Sequence, residues 1–405
     1  MRVLILYHFF YPDTVVSARI MSDLAADLTK KGHKVTAYTS NCMIRKPELL
    51  CKYEIWNGVE IKRFSRPRFP QSSNIGRLIN SFVLQTKWIW SFFVERKQYN
   101  TVIVGTDPQF VWMIFPFIKF INHKVKLIHW CFDLYPEAIM VNSSFIMKTL
   151  ASMTKLYAFL CYRACDVMVD IGECMRNRLK KYNKSIEYHT LTPWALKERN
   201  SIPEPNPVIR EELFGKAKIG LLYSGTVGYA HDITPFIELA RECRRKGIDA
   251  AFCFAGYGNC YEKQTSCITK DDTNIRLAGF ASEEELEKRL AAADIHLVSL
   301  RQGWEGIVVP SKFFGALAIG RPVLFSGPSN SAISIWCTKH KIGFVLNNDT
   351  LNVLKEIEAN IVFLDSIKKR AFDTYQKEFS QKIVCDKWEQ IVSNQHAYNT
   401  QSNFR

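Results

Sequence analysis

No two of the twelve cysteines in this 405-residue chain are spaced C-x-x-C. A zinc ribbon or a thioredoxin-type redox site therefore has no basis in the sequence. Cysteines scattered in this way fit small buried hydrophobes in a reducing compartment. No D-x-D run occurs, so a metal bridging a substrate diphosphate is not suggested, and neither metal nor cofactor is assigned. No window holds 18 consecutive apolar residues, and a membrane-spanning helix is unsupported. The apolar run at residues 3–11 contains His8, stops at Pro12-Asp13 and is followed by no small-residue cleavage pattern. It reads as a buried strand rather than an export signal. Gly256 and Gly258 are spaced like half of a dinucleotide fingerprint, but position 261, where the third glycine belongs, is tyrosine. A hydride-transfer enzyme is disfavoured on that ground.

What the chain does have is a soluble composition, 47% hydrophobic and 23% charged. It is also long enough for two ordinary domains. The net charge of +15 is unevenly placed. Residues 1–190 carry 27 Lys and Arg against 14 Asp and Glu, whereas residues 191–405 carry 27 against 25. A strongly basic first half points to an anionic partner: nucleic acid, anionic lipid or a phosphorylated substrate. A basic face kept for solubility is the plainer alternative.

Strand and helix patterns alternate along the chain. The continuous apolar run at 3–7 reads as a strand buried on both faces, and 33–38, 59–64, 101–104, 125–130 and 166–170 read as further strands. Amphipathic stretches after Ser17, at 76–96 and at 109–121 read as helices. A proline-rich charged stretch over 191–217 reads as a linker. The alternation then restarts, with strands at 219–223, 250–255, 294–300 and 322–325 and helices at 232–246 and 311–319. Ser282 and Glu285 form a capping box ahead of a further helix. The expected fold class is α/β, two doubly wound Rossmann-like domains facing a cleft. The first spans 1–190 and the second 218–375, with residues 376–405 returning as a helix onto the first.

Three glycine-bearing turns follow strands of the second half: YSGTVGYAHD at 223–232, FAGYGN at 254–259 and LRQGWEGIVVPSK at 300–312. Glycine lets backbone N–H groups approach a phosphate, and a following helix N-terminus favours negative charge. Three such turns on one sheet edge point to a nucleotide.

The segment 293–323, ADIHLVSLRQGWEGIVVPSKFFGALAIGRPV, resembles the donor-site segment of the retaining GT-B glycosyltransferases of family 4. It is most similar to a bacterial surface-polysaccharide branch with E-G-x-x-x-P-S-K followed by A-x-G-R-P-V. YHFFYPD at the start, GTDP at 105–108, DLYPE at 133–137 and Pro193-Trp194 resemble the same branch. The resemblance covers about residues 1–345. It implies a nucleotide-sugar donor (UDP- or GDP-sugar) on the second domain and an acceptor on the first.

Residue by residue, the resemblance places Glu305 on the hydroxyls of the transferred sugar. It places the backbone of Gly306 and Ile307 near sugar and diphosphate, Gly225 and Thr226 under the diphosphate, and Gly279-Phe280 at the base. It places Asp133 on the acceptor side. Gly256, Gly258, His231, Arg301, Ser311 and Lys312 complete the candidate donor set, and Glu305, Asp133 and His129 the catalytic one. The family's usual Arg and Lys of the first donor loop are here Thr226 and His231, and a second acidic position is Gly315. Lys312 and Arg301, with Arg321 behind them, are the cations nearest in sequence to take their place. The resemblance implies front-face transfer with retention and no covalent protein nucleophile.

The bland readings are a packed His129, a turn-capping Asp133, an Asp107-Pro108 turn pair and a surface Glu305. The basic stretch 45–68, followed by the Trp- and Phe-rich helix, suits an anionic membrane surface as well as it suits a buried helix under a basic loop. The expected enzyme is cytoplasmic and peripheral at the inner face of the cell membrane. It moves a sugar to a polyprenyl-diphosphate-linked saccharide acceptor in surface polysaccharide synthesis, such as O-antigen. A nucleotide-sugar epimerase of the same fold, and a basic nucleic-acid-binding protein without a recognisable module, are the alternatives.

Overall fold

The computed structural model describes residues 1–44, 48–70, 73–142, 145–258, 260–279 and 281–394. The chain divides into two compact units. The first comprises Met1–Leu196 with Val384–Arg405, and the second Lys197–Ile383.

Unit 1 contains β1 (Arg2–Leu6), α1 (Val16–Lys30), β2 (Lys34–Ser40), β3 (Tyr53–Trp56), β4 (Val59–Phe64), α2 (Asn74–Glu95) and β5 (Thr101–Val104). These are followed by α3 (Phe115–Ile121), β6 (Lys126–Trp130), α4 (Glu137–Asn142), α5 (Phe145–Arg163), β7 (Val167–Asp170), α6 (Glu173–Leu179) and β8 (Glu187–Thr190). The eight strands form one sheet in the order β3-β4-β2-β1-β5-β6-β7-β8. Only the β3–β4 pair is antiparallel. β1 pairs with β2 on one side and β5 on the other, so the strand order reverses there. Val3 to Leu6 are buried on both faces, which is why that strand is an unbroken apolar run.

Unit 2 runs α7 (Pro207–Phe214), β9 (Ile219–Thr226), α8 (Thr234–Arg245), β10 (Ala250–Tyr257), α9 (Tyr261–Thr265), β11 (Ile275–Ala278), α10 (Glu283–Ala292) and β12 (Ile295–Ser299). It continues with α11 (Lys312–Ala318), β13 (Val323–Ser326), α12 (Ala332–His340), β14 (Gly343–Val345), α13 (Thr350–Ala359) and α14 (Ile361–Thr374). Its six strands are all parallel, in the order β11-β10-β9-β12-β13-β14, and the order reverses between β9 and β12. Leu221 and Tyr223 join the core with Phe236 and Ile237 of α8, while Leu222 of the same strand packs with Leu213 and Phe214 of α7. The Ser282–Glu285 capping box opens α10 with both reciprocal hydrogen bonds.

The last helix, α15 (Gln381–Ser393), gives unit 1 its closing piece. Trp388 lies against Trp130 at 4.9 Å, and Lys126 Nζ donates to the carbonyls of Ile391 and Asn394 near the helix end.

The structure differs from the sequence expectations in several places. Helix α7 occupies part of the stretch read as a linker, with Asn206 capping its first N–H groups. The helix expected over 109–121 is a 3₁₀ turn at Val111–Ile114 followed by α3. Ser17 lies inside α1, whose N-cap position is Val15.

Candidate functional sites

In an open doubly wound sheet, ligands bind beyond the carboxyl ends of the strands where the order reverses. Each unit has side chains gathered at that point.

In unit 2, β9 runs out at Gly225 and Thr226, and its pairing with β10 continues through Gly256 and Tyr257. Gly225 and Gly258 both hold φ near +120°, a region closed to ordinary side chains. A Cβ on Gly256 would stand 2.8 Å from the Gly225 carbonyl oxygen, and one on Gly258 2.8 Å from that of Val227. These two glycines therefore let the first two turns touch backbone to backbone.

The third turn leads into α11. Lys312 is the first residue of that helix, where its charge opposes the helix dipole. Its Nζ lies 3.9 Å from the centroid of the Tyr223 ring and donates to Tyr223 Oη at 2.5 Å and to the Thr226 carbonyl at 3.1 Å. Desolvation pulls the lysine down to about 7. It takes part in no salt bridge among the described residues. The first two glycine turns and Lys312 thus meet beside the end of β9, giving a phosphate both a glycine backbone and a cation.

His231 cannot supply that cation. Its Nδ1 donates to the Ser299 carbonyl at 2.9 Å, and burial, with Lys312 and Arg301 adding to it, lowers the imidazole to about 3. Arg301 is exposed and donates from Nε to the His231 carbonyl, so it braces the first turn. Arg321 is buried and bonds the carbonyls of Pro203 and Ala291. Its role is therefore in the fold rather than at the turns.

Gly306 has φ +73° and Glu305 is half-buried beside it. Ile307 corrects an expectation: its N–H already donates to the Trp304 carbonyl at 3.0 Å, and its side chain is buried. Ser311 is exposed and makes no side-chain cap. Phe280 lies outside the described residues; Gly279 before it accepts from Arg289.

In unit 1, a pocket of about 210 Å³ opens at the ends of β1, β5 and β6. Tyr7, His8, Ser17, Arg77, Asn80, Thr106, Asp107, Gln109, Asp133 and Tyr135 line it. His8 Nδ1 lies 3.2 Å from Asp107 Oδ1, and the His8 N–H donates to the Asp107 carbonyl. The Thr106 hydroxyl accepts from the N–H groups of Phe132 and Asp133. Burial, with the nearby Asp107, raises the Asp133 carboxyl to about 6. Carboxylates beside Tyr, Gln and Arg donors suit a small polyhydroxyl ligand. Asp133 falls in this pocket, together with His8 and Arg77, which the sequence did not single out, and Asp107, weighed there as a turn residue.

His129 does not. It is fully buried, its Nδ1 donates to the Val104 carbonyl, and its ring meets Phe115 and Tyr162. Desolvation lowers it to about 4, so it is a neutral packing residue. The basic stretch 45–68 is also largely spent. Arg63 is buried between Glu54 and the Tyr11 carbonyl, and Lys62 pairs with Glu95. Arg45 and Lys46 lie outside the described residues.

No protein-family model matches the chain. It is 27% identical over 340 residues to the probable glycosyltransferase WbjE of Pseudomonas aeruginosa, covering 80% of this chain and 83% of that protein. The structure resembles sucrose-phosphate synthase from Thermosynechococcus elongatus with TM-score 0.71, at 13% identity, over 96% of this chain and 98% of that one. It also resembles WaaG, a glycosyltransferase involved in lipopolysaccharide biosynthesis, with TM-score 0.61 at 16% identity, over 97% and 100%. The fold is that of the GT-B glycosyltransferases. At these identities the structural likeness is one of fold.

Proposed function

We propose that this protein is a retaining glycosyltransferase of family 4. It moves a sugar from a UDP- or GDP-sugar to a polyprenyl-diphosphate-linked saccharide in cell-surface polysaccharide synthesis, and works at the inner face of the cell membrane. The observation that carries the reading is Lys312, a cation with no carboxylate partner among the described residues, set beside glycine turns at the strand reversal of unit 2. The likeness to WbjE and the E-G-x-x-x-P-S-K run support it.

In this reading the donor diphosphate lies against the backbone of Gly225 and Thr226, and Lys312 faces its charge. The bond from the anomeric carbon to the diphosphate oxygen breaks, and the acceptor oxygen bonds to that carbon on the same face. The acceptor proton passes to the departing phosphate oxygen. Negative charge grows on the diphosphate, and a fixed cation there lowers the barrier. Glu305 holds hydroxyls of the transferred sugar, and the polar pocket around Asp107 and Asp133 takes the acceptor sugar.

The test is a thermal-shift panel of nucleoside diphosphates, UDP-sugars and GDP-sugars, since a ligand of the native state raises the melting temperature. A shift with one nucleotide class, lost in Lys312→Met, supports the reading. No shift with any member counts against it, and interconversion of a nucleotide sugar without acceptor moves the epimerase forward.

A further inference from the structure

The solvent side of unit 1 is apolar over three neighbouring helices. Helix α2 turns Leu84, Trp88 and Phe92 inward, and on its opposite face exposes Ile75, Leu78, Ile79, Phe82, Trp90 and Phe93. That outer stripe follows the helical repeat along nearly the whole helix, so it is a designed second face rather than scatter. Helix α3 lies between α2 and α5 and exposes Phe117 and Phe120, the latter 90% accessible. Helix α5 exposes Met153, Leu156, Tyr157 and Leu160, again at helical spacing. Exposed large apolar side chains gathered on three neighbouring helices of a globular unit mark an interaction surface.

The charge around it is of one sign. The sequence from 138 to 165 contains no acid, and from 74 to 132 only Glu95 and Asp107. Glu95 is paired with Lys62, and Asp107 faces His8 in the pocket. Lys87, Lys97, Lys124, Lys148 and Arg163 are exposed on or beside the helices. The Arg96 guanidinium lies 4.8 Å over the Phe93 ring and donates to the Phe93 carbonyl, which sets a fixed cation against the apolar stripe. A second copy of this chain would bring basic rims together. An anionic bilayer satisfies both features: acyl chains accept the aromatic and aliphatic side chains, and headgroup phosphates accept the lysines. No helix among the described residues is long and apolar enough to cross a membrane, so the contact is interfacial.

We infer that the outer faces of α2, α3 and α5 form the surface by which unit 1 lies in an anionic phospholipid bilayer. The inference rests on the peripheral location proposed above and moves the docking face away from the 45–68 stretch.

The test is flotation of the full chain with vesicles of phosphatidylcholine alone and of phosphatidylcholine mixed with phosphatidylglycerol. Wild type is expected to float with the mixed vesicles and far less with the neutral ones. Phe82→Glu, Phe120→Glu and Leu156→Glu together should lower partitioning by more than about tenfold, with an unchanged circular dichroism spectrum, because all three side chains are exposed. Should that variant fail to fold, Lys124→Gln, Lys148→Gln and Arg163→Gln together, which keep the apolar face, should remove the preference for phosphatidylglycerol. Lys52→Gln, in the 45–68 stretch, should float like wild type. Wild type that stays off the mixed vesicles, or folded helix-face variants that float as well as wild type, would overturn the inference. So would a wild-type dimer in sedimentation equilibrium that the triple Glu variant converts to monomer. Nucleoside diphosphate affinity is measured on the same samples. Failure to float with that affinity intact removes the membrane face alone, whereas absent affinity in wild type strikes the transferase reading.

Discussion

Lys312 Nζ sits 3.9 Å from the centre of the Tyr223 ring while donating to that same residue's hydroxyl. One aromatic side chain therefore provides both a π contact and an acceptor for a lysine whose part-buried setting disfavours charge. With its pKa near 7, the lysine is about half protonated at neutral pH, ready to become fully charged when an anion arrives.

Binding of a nucleoside diphosphate should therefore take up protons above pH 7 and weaken as pH rises. Calorimetry in buffers of differing ionisation enthalpy measures that uptake. Lys312→Met should abolish it and cost about 1.5–3 kcal/mol of diphosphate affinity, the value of a charge-assisted contact. The stability sign is separate. The folded pKa lies below that of an unfolded lysine, so the unfolded chain binds more protons between about pH 7 and 10.5. Stability rises with pH over that window in wild type, and Lys312→Met should flatten the rise in thermal melts.

Asp133 has the opposite sign. Its folded pKa, about 6, lies above the ordinary 3.8. Its contribution is fully present below that ordinary value and is lost as pH rises through about 6. Asp133→Asn should raise the melting temperature at pH 7 relative to wild type, and the difference should vanish near pH 4. Equal melting temperatures at pH 7 would show that the carboxyl is better solvated than its burial implies.

Glu305→Gln should lower sugar transfer by more than about tenfold while the melting temperature moves little, since the side chain is only half-buried on a turn. Near-wild-type turnover in a folded variant would remove Glu305 from the donor site.

His129→Phe should keep transferase activity and its pH profile. It loses the bond to Val104 and leaves that carbonyl to the sheet alone, at a stability cost of about 1 kcal/mol. An activity loss far beyond the stability loss would return His129 to the catalytic set.

Much of the strand framework was legible because strands buried on both faces are nearly unbroken apolar runs, as at Arg2–Leu6 and Thr101–Val104, while Val59–Phe64 showed by its alternation of buried and open positions. The edge strand Tyr53–Trp56 was not, since its residues are half or fully exposed and carry no run. Helix α5 escaped for a related reason: Met153, Leu156 and Leu160 make its outer side as apolar as its inner one and erase the amphipathic contrast. The same doubling left α2 ambiguous, with Trp88 buried and Trp90 exposed. Arg63 could have been placed from the strand period, because Val59 and Ile61 share its face. His8 and Asp107, 99 positions apart, meet only because β1 and β5 are neighbours in the sheet, which no local pattern encodes.

Unit 1 is assembled from both ends of the chain, with all of unit 2 inserted between them. During synthesis the whole of residues 197–383 is made before Trp388 exists to cover Trp130 and before Lys126 can find the carbonyls of Ile391 and Asn394. The inserted unit can fold as a continuous segment while the unit that begins the chain waits, its tryptophan seam open, for the last residues to arrive. Birth order and completion order are thus inverted in this protein, and a chain cut short near its end would leave the earlier-made unit, not the later one, exposed to chaperones and proteases.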